Sequence, residues 1–259
     1  TGHGCLREPN GIASYSALAC IAIQANQNEM HGGQSVPNFD YSMAPGVSKT
    51  FRKEYFRALT QFFTVKFDLT REDGEALTAA IQREVAVPIT MGGADAYGEA
   101  LAGWLPAHQE AGGYQAITAE DTRRAHAFAV RTALAETDKA TFQAMEAFIH
   151  NLNTMNSRAG AQVPFSSVNY GTDTSPEART VIRNLLLATD AGLGNGETPI
   201  FPVQIFKVKE GLNYNPGDPN YDLFQLAIKT SAKRLFPNFS FIDAPFNLQY
   251  YKPGDYNSE

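Results

Sequence analysis

Lys49, Lys53 and Arg57 recur at i, i+4 and i+8, with Arg52 beside them. On a helix this spacing gathers the charges into one stripe. Such a stripe serves either as a solvated face or as a seat for an anion. The chain as a whole is acidic, with a formal net charge of -6 and a pI near 5.4, so a phosphate-bearing ligand would have to meet a local cluster of this kind. The same balance argues against a general duplex-binding surface, which carries an excess of Lys and Arg.

A second group of polar residues lies in "QVPFSSVNYG", residues 162–171, where Ser166, Ser167 and Asn169 sit among apolar neighbours. A strand covered on both faces normally carries Val or Ile at such positions, because a buried polar group without a partner costs roughly 1–3 kcal/mol. Some of these side chains are therefore expected to line a wet cavity, with Arg158 of "NSRAG" close before them. "GTDTSPE", residues 171–177, follows at the end of the strand and the start of a helix. Backbone N–H groups there, around Thr172, either hold a phosphate or carboxylate or are capped by Thr174 or Ser175. A serine hydrolase is excluded, since no GxSxG elbow is present and no His follows Ser166.

Other reactive residues offer less. Cys5 and Cys20 are the only cysteines and have no companion ligands, which favours free thiols over a zinc site or a disulfide framework. His108, His126 and His150 follow no ligand spacing, so solvated or packing roles are expected for them. "GLGNGE", residues 192–197, alternates glycines but follows a helix and precedes a strand, the reverse of a dinucleotide loop, and reads as helix termination.

The elements that must position these residues fall into three segments. With 259 residues and 43% hydrophobic content the chain can form one large domain or two small ones. Residues 1–65 contain an amphipathic helix from Ile12 to Met30 and a second one capped by Ser48, whose apolar face is Phe51, Tyr55, Leu59, Phe62 and Phe63. Residues 66–155 read as helical, with Gly92, Gly93, Gly112 and Gly113 at the breaks, and carry no evident chemistry. Residues 156–259 alternate strand, helix, strand, helix, strand, which implies right-handed crossovers and a parallel sheet of an α/β barrel or open sheet. No run approaches the ~18 apolar residues of a membrane span, and no secretory signal opens the chain. A cytoplasmic protein without membrane or nucleic-acid partners is expected. The opening "TGHGCLREPN" without Met and the closing "KPGDYNSE" suggest an internal piece of a longer chain.

Between the first two helices lies "HGGQSVPNFDYSMAPGV", longer and more ordered than a connector requires. Together with "NSRAGAQVPFSSVNYGTDTSPEAR" and "GLGNGETPIFPVQIFKVKEGLNYNPGDPNYDLFQLA", and with "SAKRLFPNFSFIDAPFN", it resembles the anaerobic, class III ribonucleoside-triphosphate reductases. The resemblance covers roughly residues 1–65 and 146–255.

That resemblance implies a ten-stranded α/β barrel of the glycyl radical enzyme type and a homodimer built on the early helices. Its chemistry would be conversion of ribonucleoside triphosphates to deoxyribonucleoside triphosphates. In such enzymes a radical SAM activating enzyme makes a glycyl radical, and a barrel cysteine becomes a thiyl radical that abstracts the ribose 3'-hydrogen. Water then leaves C2', with formate as reductant. The family's thiyl cysteine, glycyl radical loop and zinc-binding cysteines have no counterpart in these residues, and neither Cys5 nor Cys20 matches the other barrel cysteine. The implied fragment is inactive alone.

The resemblance further implies a deoxynucleotide effector held by Lys53, with Lys49, Arg52, Arg57 and Asp40. For the substrate it implies Arg158, Ser166, Asn169 and Thr172. A non-catalytic deoxynucleotide-binding dimerisation module is the alternative. A relative of pyruvate formate-lyase is a weaker third reading, because the adjacent cysteine pair of that enzyme is missing.

Overall fold

Residues 7–30, 32–108, 117–156, 160 and 162–255 are described by the structure, a computed structural model. Along the chain run α1 (Ile12–Glu29), β1 (Gln34–Val36), α2 (Phe39–Lys66), α3 (Arg71–Glu84), α4 (Ala94–Ala107) and α5 (Ala119–Thr154). They are followed by β2 (Ser166–Tyr170), α6 (Pro176–Ala191), β3 (Val203–Val208), α7 (Tyr221–Arg234), β4 (Asn238–Phe241) and α8 (Pro245–Leu248). Two compact units result, one of residues 1–47 and 140–259, the other of residues 48–139. Helices α2 and α5 each contribute to both.

The first unit is built on a parallel sheet of order β1-β2-β3-β4. Its register pairs Val36 with Val168, Val168 with Gln204, and Phe206 with Phe239. In β2, Ser166, Val168 and Tyr170 are buried while Ser167 and Asn169 are half-buried, the alternation expected of a pleated strand. The rings of Phe206 and Phe239 meet Phe224 of α7, with centroids of Phe206 and Phe224 6.0 Å apart, and Tyr170 packs edge-on against Phe206. Tyr170 donates to Gln204 Oε1 at 2.7 Å, and Gln204 Nε2 donates to Thr189 Oγ1 of α6 at 2.7 Å. One sheet face is therefore sealed by α6 and α7. Ser175 caps α6 through the Ala178 N–H, with Pro176 in the first turn, as the sequence predicts.

Two features of this unit correct the reading of "HGGQSVPNFDYSMAPGV". The stretch is not a link between two helices, since Gln34–Val36 is an edge strand of the sheet and α2 begins at Phe39. Ser48 is accordingly inside α2 and caps nothing. The helix starts early because Asn38 receives both the backbone N–H and the hydroxyl of Ser42, each at 2.9 Å, and α2 continues through Pro45. Gly46 lies against Tyr15 of α1, where a Cβ would fall 2.8 Å from the ring. Phe39 packs on Phe148 of α5 at 4.9 Å.

In the second unit the expected apolar face of α2 forms the core: Phe51, Tyr55, Leu59 and Phe63 are fully buried, and Phe62 packs against them partly exposed. Ala125, Ala129 and Ala133 of α5 face this core at helical spacing, small enough for close approach. Helix α3 is capped by Thr70, which accepts from the Asp73 N–H. Helix α4, which lies between the breaks expected at Gly93 and Gly112, carries Tyr97, Leu101 and Leu105 into the core despite two glycines and Pro106. Among the described residues no helix is long and apolar enough to cross a membrane.

Candidate functional site

At the carboxyl-terminal edge of the sheet the chain leaves β2 through Gly171, whose φ of +125° is open to glycine. Asn213 of the β3–α7 loop donates to the carbonyls of Gly171 and Lys207, at 2.8 and 2.9 Å. Asn220 donates to the carbonyls of Gly171 and Asp173. Arg179 of α6 holds Asn220 Oδ1 and Asp222 Oδ2, both at 2.8 Å. This edge is thus stitched together by side chains.

The N–H groups of the same turn are taken as well. Asp40, in the first turn of α2, accepts from the Gly171 N–H at 2.8 Å and the Asp173 N–H at 3.2 Å through Oδ2, and from the Tyr41 N–H at 3.1 Å through Oδ1. The phosphate seat considered for "GTDTSPE" is therefore filled from within the chain. Asp40 is 1% exposed, which removes it from the surface where an effector would meet it. Burial pushes its pKa above the ordinary carboxylate value, the three N–H donors pull it down, and the Asp173 charge pushes it up again.

The structure separates the residues expected to meet substrate. Ser166 and Asn169 leave β2 on opposite faces because their spacing is odd. Ser166 is fully buried on the side of Val168 and Tyr170, and its hydroxyl donates to the Pro164 carbonyl. Asn169 shares the second face with Ser167, Val203 and Ile205, all half-buried. Its Oδ1 is buried and has no hydrogen-bond partner among the described residues. Lys207, 5% exposed, follows on that face two residues beyond Ile205, and the sequence reading missed it. The only signal was a charge inside the apolar run "VQIFKV". Thr172 is 2% exposed, and Arg158 lies outside the described residues.

On α2 the cationic stripe is present in the second unit. Lys53 and Arg52 are exposed and form no ion pair among the described residues, and the Arg52 guanidinium stands 6.0 Å from the Phe56 ring centroid. Lys49 is half-buried. Arg57 is paired with Glu54 at 2.6 Å and approaches Glu136 at 3.8 Å, so its charge is already met. Lys53 is the cation most open to a ligand.

Cys20 is 4% exposed within α1, and burial pushes its thiol up to about 11, against a hydrogen bond from Asn151. Cys5 lies outside the described residues. His126 is a packing residue that shares a 2.9 Å hydrogen bond with the Tyr55 hydroxyl, and His108 stacks on Trp104. Gly192 ends α6 with φ +82°, which is the helix termination read from "GLGNGE". A cavity of about 590 Å³ lies beside that turn, lined by Gln143, Glu146 and His150 of α5, at the amino-terminal end of the strands. Among the described residues no three His, Cys, Asp or Glu side chains converge for a metal.

The sequence model of a family described as anaerobic ribonucleoside-triphosphate reductase matches residues 1–258. Proteins of that name share 39% identity over 102 residues in Haemophilus influenzae and 38% over 103 residues in Escherichia coli. Each of these alignments covers 39% of this chain and 14% of the relative. The protein of that name from Enterobacteria phage T4 is 38% identical over 111 residues, 42% of this chain and 18% of the relative. The match thus spans less than a fifth of the length of these curated relatives.

Proposed function

Because the chain belongs to the anaerobic ribonucleoside-triphosphate reductase family, we propose that it is part of an enzyme that reduces ribonucleoside triphosphates to deoxyribonucleoside triphosphates. The family match along residues 1–258 carries this reading. Within it, the four parallel strands are an arc of a ten-stranded barrel, and the half-buried face bearing Ser167 and Asn169 turns toward substrate. The unpartnered Asn169 Oδ1 supports that orientation, since a buried acceptor without a donor is costly unless a ligand hydroxyl or amine supplies one.

Lys53, with Lys49 and Arg52 near it, would hold the phosphates of a deoxynucleotide effector, while Arg57 is drawn to Glu54. Helices α1 and α2 would form the homodimer contact. Isothermal titration with dATP, dTTP and dGTP tests the effector site. Lys53→Ala should weaken the bound nucleotide about tenfold, the scale of one charge-assisted hydrogen bond. An unchanged dissociation constant would return the stripe to a solvated face.

Radical chemistry, with a glycyl radical, formate as reductant and a zinc site, would draw on residues other than these. Cys20 is poorly placed for radical transfer, being buried within a helix. The chain incubated with a radical SAM activating enzyme, formate and a nucleoside triphosphate should yield no deoxynucleotide. Turnover would refute this division of labour. Binding without turnover would equally suit a non-catalytic deoxynucleotide-binding dimerisation module, which separates from the first reading if ribonucleoside triphosphates fail to bind.

A further inference from the structure

We propose that Asp40 is a positioning residue that fills, with its own carboxylate, the N–H seat of the β2–α6 turn, holding that turn at the end of the polar sheet face and keeping phosphate off this edge. The proposal rests on the reading of that face as the substrate side. A turn that joins a parallel strand to a helix N-terminus ordinarily offers its free N–H groups to a ligand's phosphate. Here Oδ2 of Asp40 bridges the N–H groups of Gly171 and Asp173, across more than 130 residues of sequence, while Oδ1 accepts from Tyr41.

All three hydrogen bonds to Asp40 come from backbone N–H groups, an arrangement that favours an ionised carboxylate. Asp40 also stands in the first turn of α2, where a negative charge is favoured by the helix dipole. Ser175 and Asp173 meet two further donors: Ser175 Oγ accepts from the Ala178 N–H, and Asp173 Oδ1 accepts from the Ser175 N–H. The N–H groups of Gly171 and Asp173 are thus engaged without an external anion.

Amide hydrogen exchange on the full chain, read at Gly171 and Asp173, tests this in the wild type, Asp40→Ala and Asp40→Asn. Exchange at both amides should accelerate in Asp40→Ala by roughly 10- to 100-fold, as expected for loss of hydrogen bonds to a charged group. Added acetate should slow it again in a saturable manner, because a free carboxylate can occupy the vacated seat. Asp40→Asn can keep its amide oxygen on the Gly171 and Asp173 N–H groups and turn its NH2 toward the Tyr41 N–H, so exchange at the two amides should rise less than in Asp40→Ala and not respond to acetate. Inorganic phosphate should leave the wild-type turn unaffected.

Ribonucleoside triphosphate affinity should fall in Asp40→Ala and recover with acetate, whereas deoxynucleotide affinity should stay level. Unchanged exchange at Gly171 and Asp173 in Asp40→Ala overturns the proposal. So does a uniform loss of protection that acetate cannot reverse, or protection of the wild-type turn by phosphate. If Asp40→Ala fails to fold, Asp40→Leu, which keeps the bulk and offers no acceptor, decides by the same two amides. If the wild type binds no ribonucleoside triphosphate, the substrate reading falls, while exchange still decides the role of Asp40.

Discussion

Gly171 turns the chain out of β2 at φ +125°, and a Cβ there would stand 2.9 Å from the Lys207 carbonyl oxygen. Backbone cannot withdraw as a flexible side chain can, so Gly171→Ala combines a disfavoured torsion with a contact that must be relieved. We expect it to lower the free energy of urea unfolding by about 1–3 kcal/mol. An unaltered midpoint would show that the β3 backbone yields there. Individual residues were read from sequence with uneven success. Ser175 as a cap and Gly192 as a stop depend on neighbours one turn away and were legible. The destination of Asp40 lies more than 130 residues along the chain, and nothing in its local pattern distinguishes a carboxylate that meets a ligand from one that meets its own backbone. Ser166 and Asn169 look alike in the sequence; their odd spacing sends them to opposite faces, and only the packing of β2 decides which face is buried.

At the level of elements, the strand–helix alternation after residue 160 was readable because each segment has its own period and punctuation. Strand β1 was not, being three residues long with two of them polar, and α4 was read only as part of a helical stretch because its glycines and proline blur its ends. The start of α2 was masked by Pro45 and Gly46, which ordinarily break helices but here lie within one.

Among the helices of the second unit, His126 of α5 gives a titratable probe. It is hydrogen-bonded to Tyr55, and Gly98 of α4 leaves it room, since a Cβ at that glycine would lie 2.6 Å from the ring. Burial lowers its pKa below 6.5, opposed by Asp95, the Ala94 backbone and Glu99. The unfolded chain therefore takes up this proton first, and stability is lost as pH falls below about 6.5 until the folded-state value is passed. Thermal melts between pH 7.5 and pH 5, roughly the range over which histidine titrates, should show this loss in the wild type. A His126→Gln variant should show a shallower slope. Parallel slopes would mean that the ring is protonated without penalty.

For the molecule as a whole, the proposed dimer is the most accessible consequence of the family reading. Ile21 is 51% exposed on α1, an apolar group on a helix otherwise anchored by Ser16 and Gln27 to α5 and the segment before β2. Sedimentation equilibrium should report twice the single-chain mass of 28.3 kDa, and Ile21→Asp should return it to one chain. A monomer in the wild type would remove the early helices from that role.

The sheet itself carries a further consequence. One face sets Val168, Tyr170, Phe206 and Phe239 against α6 and α7, while the other shows Ser35, Ser167, Asn169, Lys207, Asn238 and Ser240 beside Val203 and Ile205. A face so rich in hydrogen-bonding groups gives an apolar neighbour little reason to adhere, so the polarity suited to a small guest also weighs against indiscriminate association.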